Sequence, residues 1–408
     1  MKEQIQSLMR EKNISAILIS GAREHNPSLG YFVGDAFFTS ADVLVGAYGD
    51  PILFYRPMER DTAAQTGLKR VCYNELEKRD EWEGKSARAQ ELLGILTCAG
   101  IEYGNLALSG RVEFGEAYAA LEEIKPFFPD LHILGIEGDD ILHEARFTKD
   151  ASELAAIQKM SDIITIVVGR TESYICSQRL IDGKLADENG NGITIGQIKS
   201  LINLWLGELG AENPEGTIFS MGRDAGVCHS QGDDDAVLEK GKSIVFDFFP
   251  CGMGGGYFSD FTRTWCIGEA PQYLKEAYEQ VKTLHDQLVE GIVPGMRFKE
   301  LQQQTCEYFH SLGHQTILQD PKVTNGYVHS IGHGLGLNIH ERPFSGKTAP
   351  DEDVLIPGAV FTIEPGIYYP DAEEPYGVRI EDTYYIDENG KPVQLTKYKY
   401  QLELDVRG

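Results

Sequence analysis

Hydrophobic and polar positions alternate along the chain in a way that predicts two regions of different architecture. Over roughly the first 140 residues, short apolar runs at 16–20, 42–48 and 51–55 alternate with segments of helical pattern. Strands that alternate with helices in this way are typical of an α/β domain. A boundary falls near residues 146–151, before a long helical pattern that begins at Ser152. We therefore expect one domain over residues 1–146 and a second over residues 147–408.

The second region is predicted to combine helices with a β-rich final third. Its helical patterns are expected at 152–175, 194–209, 271–290 and 298–312. At the start of the first of these helices, Ser152 and Glu153 after Asp150 supply N-cap and first-turn acid signals. A polar, turn-rich insertion is expected at 180–192.

Two aspartates lie inside apolar strand patterns on either side of a glycine-rich turn. Residues 243–249 and 257–267 are β-branched and aromatic, and residues 252–256 contain four glycines. Folding this stretch about the midpoint between Met253 and Gly254 places Asp247 directly opposite Asp260. Like charges that face each other across a sheet, roughly 5 Å apart, destabilise it unless a cation compensates them. A dinucleotide-binding turn is excluded because a strand, and not a helix, follows the glycines.

A second pair of carboxylates repeats this arrangement near the C-terminus. Strands are predicted at 359–364 and 377–386, joined by a loop around 370–375. Glu364 and Glu381 are equidistant from the middle of that loop, so they are expected to face each other across a second hairpin. Two such pairs indicate a metal site rather than two accidents of the core.

Histidines cluster in a glycine-rich stretch between the two hairpins. Three of them, His329, His333 and His340, fall within residues 328–343. Glycines at 332, 334 and 336 argue against a helix, and on a strand His329 and His333 share one face. Beside four paired carboxylates, a ligand role is the better interpretation.

Composition and charge limit the partners. The net charge of −26 over 408 residues argues against non-specific binding to nucleic acid or to an anionic membrane. No signal peptide or membrane-spanning segment is expected, and seven scattered cysteines without a C-x-x-C pair indicate reduced thiols in a cytoplasmic protein. Four carboxylates balance two divalent cations, and mainly oxygen ligands with one imidazole suit manganese, cobalt, iron or zinc.

The ordered motifs FDFFP…YFSDFTRTW, HSIGHGLGLNIHERP, FTIEPGIY and VRIED resemble the pita-bread metallopeptidases. That family includes methionine aminopeptidase, aminopeptidase P, prolidase and the metal-free creatinase. SAILIS, YFVG and ARFTKDASEL resemble, more weakly, the creatinase-type N-terminal domain of aminopeptidase P and prolidase. The resemblance implies an α+β fold, with a C-terminal pita-bread (creatinase/aminopeptidase) domain and a smaller N-terminal α/β creatinase-like domain.

The resemblance also implies the metal ligands. Asp247 would chelate one ion, and His333 with Glu364 the other. Asp260 and Glu381 would bridge the two ions. A hydroxide between the ions would be the nucleophile, and Glu364 would act as general base.

Further residues take roles by the same resemblance. His229 and His340 would hold the substrate carbonyl and the tetrahedral intermediate. His329 would line the pocket, and Arg379 would orient the ligands. Arg342, in HERP, is a candidate for holding a substrate carboxylate.

The resemblance implies a hydrolase that cleaves the Xaa-Pro bond of dipeptides or of peptide N-termini. It also implies a cytoplasmic homodimer that uses two divalent ions per chain, with manganese as the preferred metal. Two alternatives stay open: the same site acting on a small non-peptide substrate as a hydrolase or lyase, and a non-catalytic binding protein. The presence of all five ligand residues argues against the second alternative. The stretch between Asp247 and Asp260 is longer than the family's usual spacing, and Phe248, Phe249 and Pro250 replace small residues; both departures bear on substrate fit.

Overall fold

The computed structural model describes residues 4–406, which form two compact units. The first unit holds the described residues up to Arg146 together with Gly254–Gly256. The second holds Phe147–Met253 and the described residues from Tyr257 onward. No helix within residues 4–406 is both long enough and apolar enough to cross a bilayer.

The first unit is built on one six-stranded sheet. Its strands are β1 (Ala16–Gly21), β2 (Ala41–Gly46), β3 (Ile52–Tyr55), β4 (Lys69–Cys72), β5 (Gly104–Arg111) and β6 (Leu131–Leu134). Its helices are α1 (Gln4–Glu11), α2 (Pro27–Val33), α3 (Arg60–Gln65), α4 (Ala87–Ala99), α5 (Phe114–Ile124) and α6 (Glu137–Arg146). Short 3-10 turns occur at Pro57–Glu59, Tyr73–Glu75, Asp80–Trp82 and Lys125–Phe127.

The sheet of the first unit is buried on both faces. Its strand order is β4-β3-β2-β1-β5-β6. Alternate residues of β1 enter different cores, Ile17 and Ile19 on one side and Leu18 on the other. Since a strand points successive side chains to opposite faces, a continuous apolar run such as 16–20 predicts a central strand covered on both sides.

The second unit contains longer helices around a larger sheet. Its helices are α7 (Ala151–Ser177), α8 (Ile195–Glu208), α9 (Gln272–Gly291) and α10 (Phe298–Ser311), with a 3-10 turn at Asp224–Gly226. Its first strands are β7 (Arg179–Ile181), β8 (Lys184–Ala186), β9 (Ala211–Glu212), β10 (Ile218–Met221), β11 (Ser243–Phe248), β12 (Cys251–Gly252) and β13 (Phe261–Ile267). The later strands are β14 (His333–Gly334), β15 (Glu341–Phe344), β16 (Val360–Ile363), β17 (Gly366–Tyr369), β18 (Tyr376–Arg379), β19 (Glu381–Ile386), β20 (Pro392–Gln394) and β21 (Glu403–Leu404).

Two local predictions have different outcomes. Asp150 caps α7, because its Oδ1 accepts hydrogen bonds from the backbone nitrogens of Ser152 (2.9 Å) and Glu153 (3.0 Å). The predicted N-cap is therefore confirmed. The turn-rich insertion predicted at 180–192 is wrong in part, since β7 and β8 pair there as a small antiparallel hairpin around Asp182 and Gly183, both at positive φ.

Seven strands of the main sheet follow the order β10-β11-β13-β19-β16-β14-β15, with β20 beside β19 and β21 beside β13. The strands that carry the predicted ligand residues are therefore neighbours in the sheet. This adjacency follows from two hairpin-like ladders that meet where β13 pairs with β19, at Thr262 and Glu381.

The register predicted for the first hairpin is wrong. Asp247 pairs with Thr262, and Asp260 precedes the ladder that begins at Phe261. The turn is centred between Gly254 and Gly255, both at positive φ (75° and 82°), a conformation that a methionine at position 253 would not adopt at low cost. Asp247 and Asp260 are consequently diagonal neighbours, which still share one face of the sheet.

The register predicted for the second hairpin is the one observed. Ile363 pairs with Asp382 on one side, and Gly366 pairs with Arg379 on the other. Both ladders share one register, which places Glu364 opposite Glu381 at the junction between them.

Candidate metal centre and catalytic cavity

Three buried carboxylates and one half-buried carboxylate come from adjacent strands of the main sheet. Asp247 lies in β11, Asp260 directly before β13, Glu381 at the start of β19 and Glu364 directly after β16. Because these strands are consecutive in the sheet, the four side chains meet at the wall of one cavity. The apolar residues around each acid favour a strand, and the register between the strands brings the four acids together.

His333 joins the carboxylates from β14, the next strand after β16. Its Nε2 lies 3.5 Å from Asp260 Oδ2 and 3.7 Å from Glu364 Oε1. One possible ligand atom from each of Asp260, His333 and Glu381 falls within 4.8 Å of the others. These atoms are close enough for one cation to bind all three.

Two carboxylate oxygens in this cluster are buried without a partner. Oδ1 of Asp247 and Oε1 of Glu381 accept no hydrogen bond from any described residue. The second oxygen of each is held, by Arg379 in the case of Asp247 and by the Thr262 hydroxyl at 2.7 Å in the case of Glu381. A buried acceptor without a partner costs free energy, so a cation that binds these oxygens would relieve the cost. The residues present therefore fit a metal site.

The electrostatics of the cluster favour the same conclusion. Burial, together with repulsion from neighbouring acids, raises the pKa of Asp260, Glu364 and Glu381 well above their ordinary values. The Arg379 guanidinium lowers each of these pKa values, but burial and the other acids outweigh it. Without a further cation, the cluster would retain protons.

Arg379 ties the ligand strands together from beneath the site. It is buried, and its guanidinium pairs with Asp247 through Nη2. Its Nη1 donates to the Tyr368 hydroxyl at 2.8 Å, and its Nε lies 3.3 Å from Thr262 Oγ1. The same arginine therefore contacts one predicted ligand, Asp247, directly and also contacts the hydroxyl that holds Glu381.

The three remaining site histidines differ in their surroundings. His329 has both ring nitrogens occupied, Nδ1 by the Ser330 carbonyl (2.6 Å) and Nε2 by the Tyr368 hydroxyl (2.9 Å), and burial lowers its pKa to about 3. The ring of His340 lies 4.3 Å from that of His333, and desolvation with help from the His333 ring lowers the pKa of His340 to about 4. His229 lies on the same cavity wall with an exposed side chain. Both lowered pKa values keep the imidazoles neutral near pH 7.

The cavity has a volume of about 670 Å³. The predicted site residues on its wall are Asp247, Asp260, His333, Glu364, Glu381, His229, His329, His340 and Arg379. Arg342 is not among the described residues that line it. Instead, Nε of Arg342 donates to Oδ1 of the buried Asp353 at 2.5 Å, and its guanidinium lies over the Phe147 ring.

Sequence reasoning missed three side chains that support the site. Thr262 holds Glu381, Tyr368 bridges His329 and Arg379, and the sulfur of Cys228 lies 3.3 Å from Arg379 Nη1. Thr262 could have been found, because it alternates with Asp260 onto the same face of one strand. Nothing in the pattern distinguishes Tyr368 from Tyr369, the other aromatic residue of its strand.

Comparison with known proteins identifies relatives over the whole chain. The model of metallopeptidase family M24 matches residues 158–388. The chain is 30% identical to the Xaa-Pro dipeptidase of Pyrococcus furiosus over 407 residues, which are 98% of this chain and 100% of that protein.

Solved structures give the same picture of the fold. The prolidase from Pyrococcus furiosus superposes with a TM-score of 0.72 at 26% identity, covering 97% of this chain and 99% of that one. The X-Pro aminopeptidase from Thermotoga maritima superposes with a TM-score of 0.73 at 23% identity, covering 97% and 99%. The predicted fold, an α+β pita-bread domain with a smaller N-terminal α/β domain, is confirmed.

The raised carboxylate pKa values predict how pH acts on the metal-free protein. The folded state retains protons that the unfolded chain has released, so stability is lost as pH rises through the raised values. At about pH 7.5 and above, the histidines are neutral in both states and do not set the slope. We expect the Tm of chelator-treated protein, measured by calorimetry, to fall as pH rises above about 7.5, and that of manganese-loaded protein to stay nearly level.

Two variants control this measurement. Metal-free Glu381→Gln removes one repelling charge, so its Tm should fall less steeply with pH than that of the wild type. Glu373→Gln, at an exposed position, should behave like the wild type. Equal slopes for the wild type and Glu381→Gln would contradict the electrostatic account.

Proposed function

The chain belongs to metallopeptidase family M24, and we propose that it hydrolyses the Xaa-Pro bond of dipeptides or of peptide N-termini. The observation that carries the proposal is the convergence of four carboxylates, three buried and one half-buried, and His333 on the wall of one cavity of about 670 Å³. The name of the Pyrococcus furiosus relative, Xaa-Pro dipeptidase, supports the choice of bond.

We propose that two divalent ions bind per chain. Asp247 would hold one ion, His333 and Glu364 the other, and Asp260 and Glu381 would contact both. The four carboxylate charges balance two divalent cations, and a set of oxygens with one imidazole suits manganese, with cobalt, zinc or iron as alternatives. Bound to this set, the ions would activate a water molecule and polarise the substrate carbonyl.

The side chains around the ions would then move and hold protons. Glu364 would accept the proton of the attacking water through a carboxylate oxygen. Its position at the cavity wall, with Oε1 3.7 Å from Nε2 of His333, supports this role. His340 and His229 face the cavity and can donate an N–H to the carbonyl oxygen as negative charge develops on it. A neutral His340 still donates this hydrogen bond, so its lowered pKa is compatible with the role.

The chemistry of proline explains why such a cavity suits this bond. The Xaa-Pro bond is a tertiary amide without an N–H, and proline fixes φ near −65°. An enzyme that binds its substrate through backbone hydrogen bonds finds no N–H donor on the proline nitrogen. A preformed site that holds the carbonyl and the free amine needs no such donor.

The length of peptide accepted depends on how the substrate carboxylate is held. The family resemblance predicts that Arg342 holds it, but in the structure this side chain pairs with Asp353. We therefore propose both dipeptides and longer Xaa-Pro peptides as substrates. The homodimer, the cytoplasmic location and the role of Arg342 stay predictions from the family resemblance.

His340→Ala tests the proposed role of this histidine in the transition state. Loss of one donor to a developing oxyanion should lower kcat by on the order of 10²–10³ with little change in metal content. Steady-state kinetics on Ala-Pro and metal analysis measure the two effects. His132→Ala, at an exposed position of the first unit, is the matched control and should keep wild-type kcat. A His340→Ala enzyme with full kcat would show that the histidine is not needed for the reaction.

A substrate panel tests the proposed activity. Manganese-loaded enzyme should cleave Ala-Pro or Ala-Pro-Ala with kcat/KM at least about tenfold above that for Ala-Ala. Preference for Ala-Pro would assign a dipeptidase, and preference for Ala-Pro-Ala an aminopeptidase. If Met-Ala-Ser is the best substrate, the Xaa-Pro proposal is wrong. If metal-loaded protein cleaves none of the four, a non-peptide substrate becomes the leading alternative.

A further inference from the structure

The first unit contains a second cavity, of about 310 Å³. It opens at the ends of three strands, since its wall includes Gly21 at the end of β1, Arg56 directly after β3 and Arg111 at the end of β5. It also includes residues from the first turns of α4 and α5, among them Arg88 and Glu116. The volume is at the lower end of the range for small-molecule sites.

The position of this cavity in the sheet is one where ligands bind in open α/β sheets. Strand β1 is parallel to β5, β5 to β6 and β3 to β4, and β2 is antiparallel to both β1 and β3. All strands of this sheet except β2 therefore run in one direction. From β1 the chain proceeds outward to β4 on one side, then returns to β5 on the other side of β1. The cavity lies at the carboxyl ends of β1 and β5, where the strand order reverses, and such a switch point forms a crevice.

The floor of the cavity is an ionic cluster in which two positive side chains are matched by two negative ones. Both Nη atoms of Arg88 donate to the buried Asp42, at 2.7 and 2.8 Å, and Nη1 of Arg56 donates to Glu91 at 2.5 Å. Asp42 also accepts from the Tyr73 hydroxyl at 2.6 Å. This cluster fixes the two arginines in place. The guanidinium of Arg56 also lies over the Tyr73 ring, and its Nε and Nη2 have no hydrogen-bond partner among the described residues.

The mouth of the cavity carries charges of both signs that make no ion pair within residues 4–406. Arg111 lies at the end of β5, and Glu113 and Glu116 lie at the beginning of α5. A carboxylate near Arg111 and Arg56 would also face the positive N-terminal end of α4. An ammonium group would be attracted to the two glutamates. The wall also includes apolar side chains, among them Leu92 and Leu108.

We propose that this cavity binds a free α-amino acid with an apolar side chain, as a zwitterion. The carboxylate would pair with Arg111 and Arg56, the ammonium with Glu113 and Glu116, and the side chain would pack against the leucines. This site lies wholly within the first unit and does not depend on the proposed peptidase activity.

Calorimetric titration of the metal-loaded protein with L-leucine tests the proposal. We expect saturable binding that is at least about tenfold weaker for N-acetyl-L-leucine, which lacks the ammonium, and for L-leucinamide, which lacks the carboxylate. Arg111→Gln, at an exposed position, should weaken leucine binding at least about tenfold. Arg70→Gln, an exposed arginine of β4 away from the cavity, should bind leucine like the wild type.

A second variant tests whether leucine binds in this cavity, and it does so by filling the cavity rather than by removing a charge. Ala117→Trp, on the cavity wall, should block leucine binding and leave kcat/KM on Ala-Pro unchanged. Absence of binding by the wild type up to about 10 mM leucine would overturn the proposal. So would equal binding of the three compounds, or binding that both Arg111→Gln and Ala117→Trp leave unchanged, since that would place the ligand elsewhere.

Discussion

Repulsion among three buried carboxylates and one half-buried carboxylate is the constraint on which the second unit depends. Two like charges about 4 Å apart near a protein surface repel by about 4 kcal/mol, and more when they are buried. Asp247, Asp260, Glu364 and Glu381 line one cavity wall, and two of their oxygens accept no hydrogen bond from described residues. The cluster is therefore compatible with a stable fold only if protons or cations neutralise it. Cations also make it chemically useful.

The strands that carry these acids are held from both faces of the sheet. On the cavity side, Arg379 pairs with Asp247 and contacts Thr262. On the opposite side, the buried Arg263 donates to the Glu381 carbonyl at 2.9 Å and pairs with Asp382 at 3.0 Å. Since Thr262 and Arg263 are consecutive in one strand, their alternation places one support on each face. The two arginines fix the β13–β19 junction where Glu381 begins its strand.

Much of this arrangement follows from the sequence, because hydrophobic alternation locates strands and paired acids locate the cluster. The Glu364–Glu381 register could be predicted because the β16–β19 and β17–β18 ladders, which flank these two residues, have the same register. The Asp247 register could not be predicted from symmetry alone, because the turn is centred on the two glycines that adopt positive φ. The pattern was sufficient to place both aspartates on one face but not to place them opposite each other.

Long-range partners were beyond what the sequence could indicate. Arg342 pairs with Asp353, which lies eleven positions away in a loop. Nothing in the residue pattern predicts this ion pair. Tyr368 joins His329 to Arg379 only because three separate segments meet in the folded chain. Such contacts decide which of several candidate side chains reach the cavity, and they depend on tertiary packing rather than on local propensity.

Metal stoichiometry tests the central claim most directly, that this cluster exists to bind cations. Protein purified without chelator, loaded with Mn²⁺, dialysed and analysed by mass spectrometry should hold two ions per chain. Asp260→Asn, which removes one carboxylate that would contact both ions, should hold at least one fewer, and the exposed control Glu373→Gln should match the wild type. A folded wild-type protein that retains no metal, or an Asp260→Asn protein that retains as much as the wild type, would contradict the account.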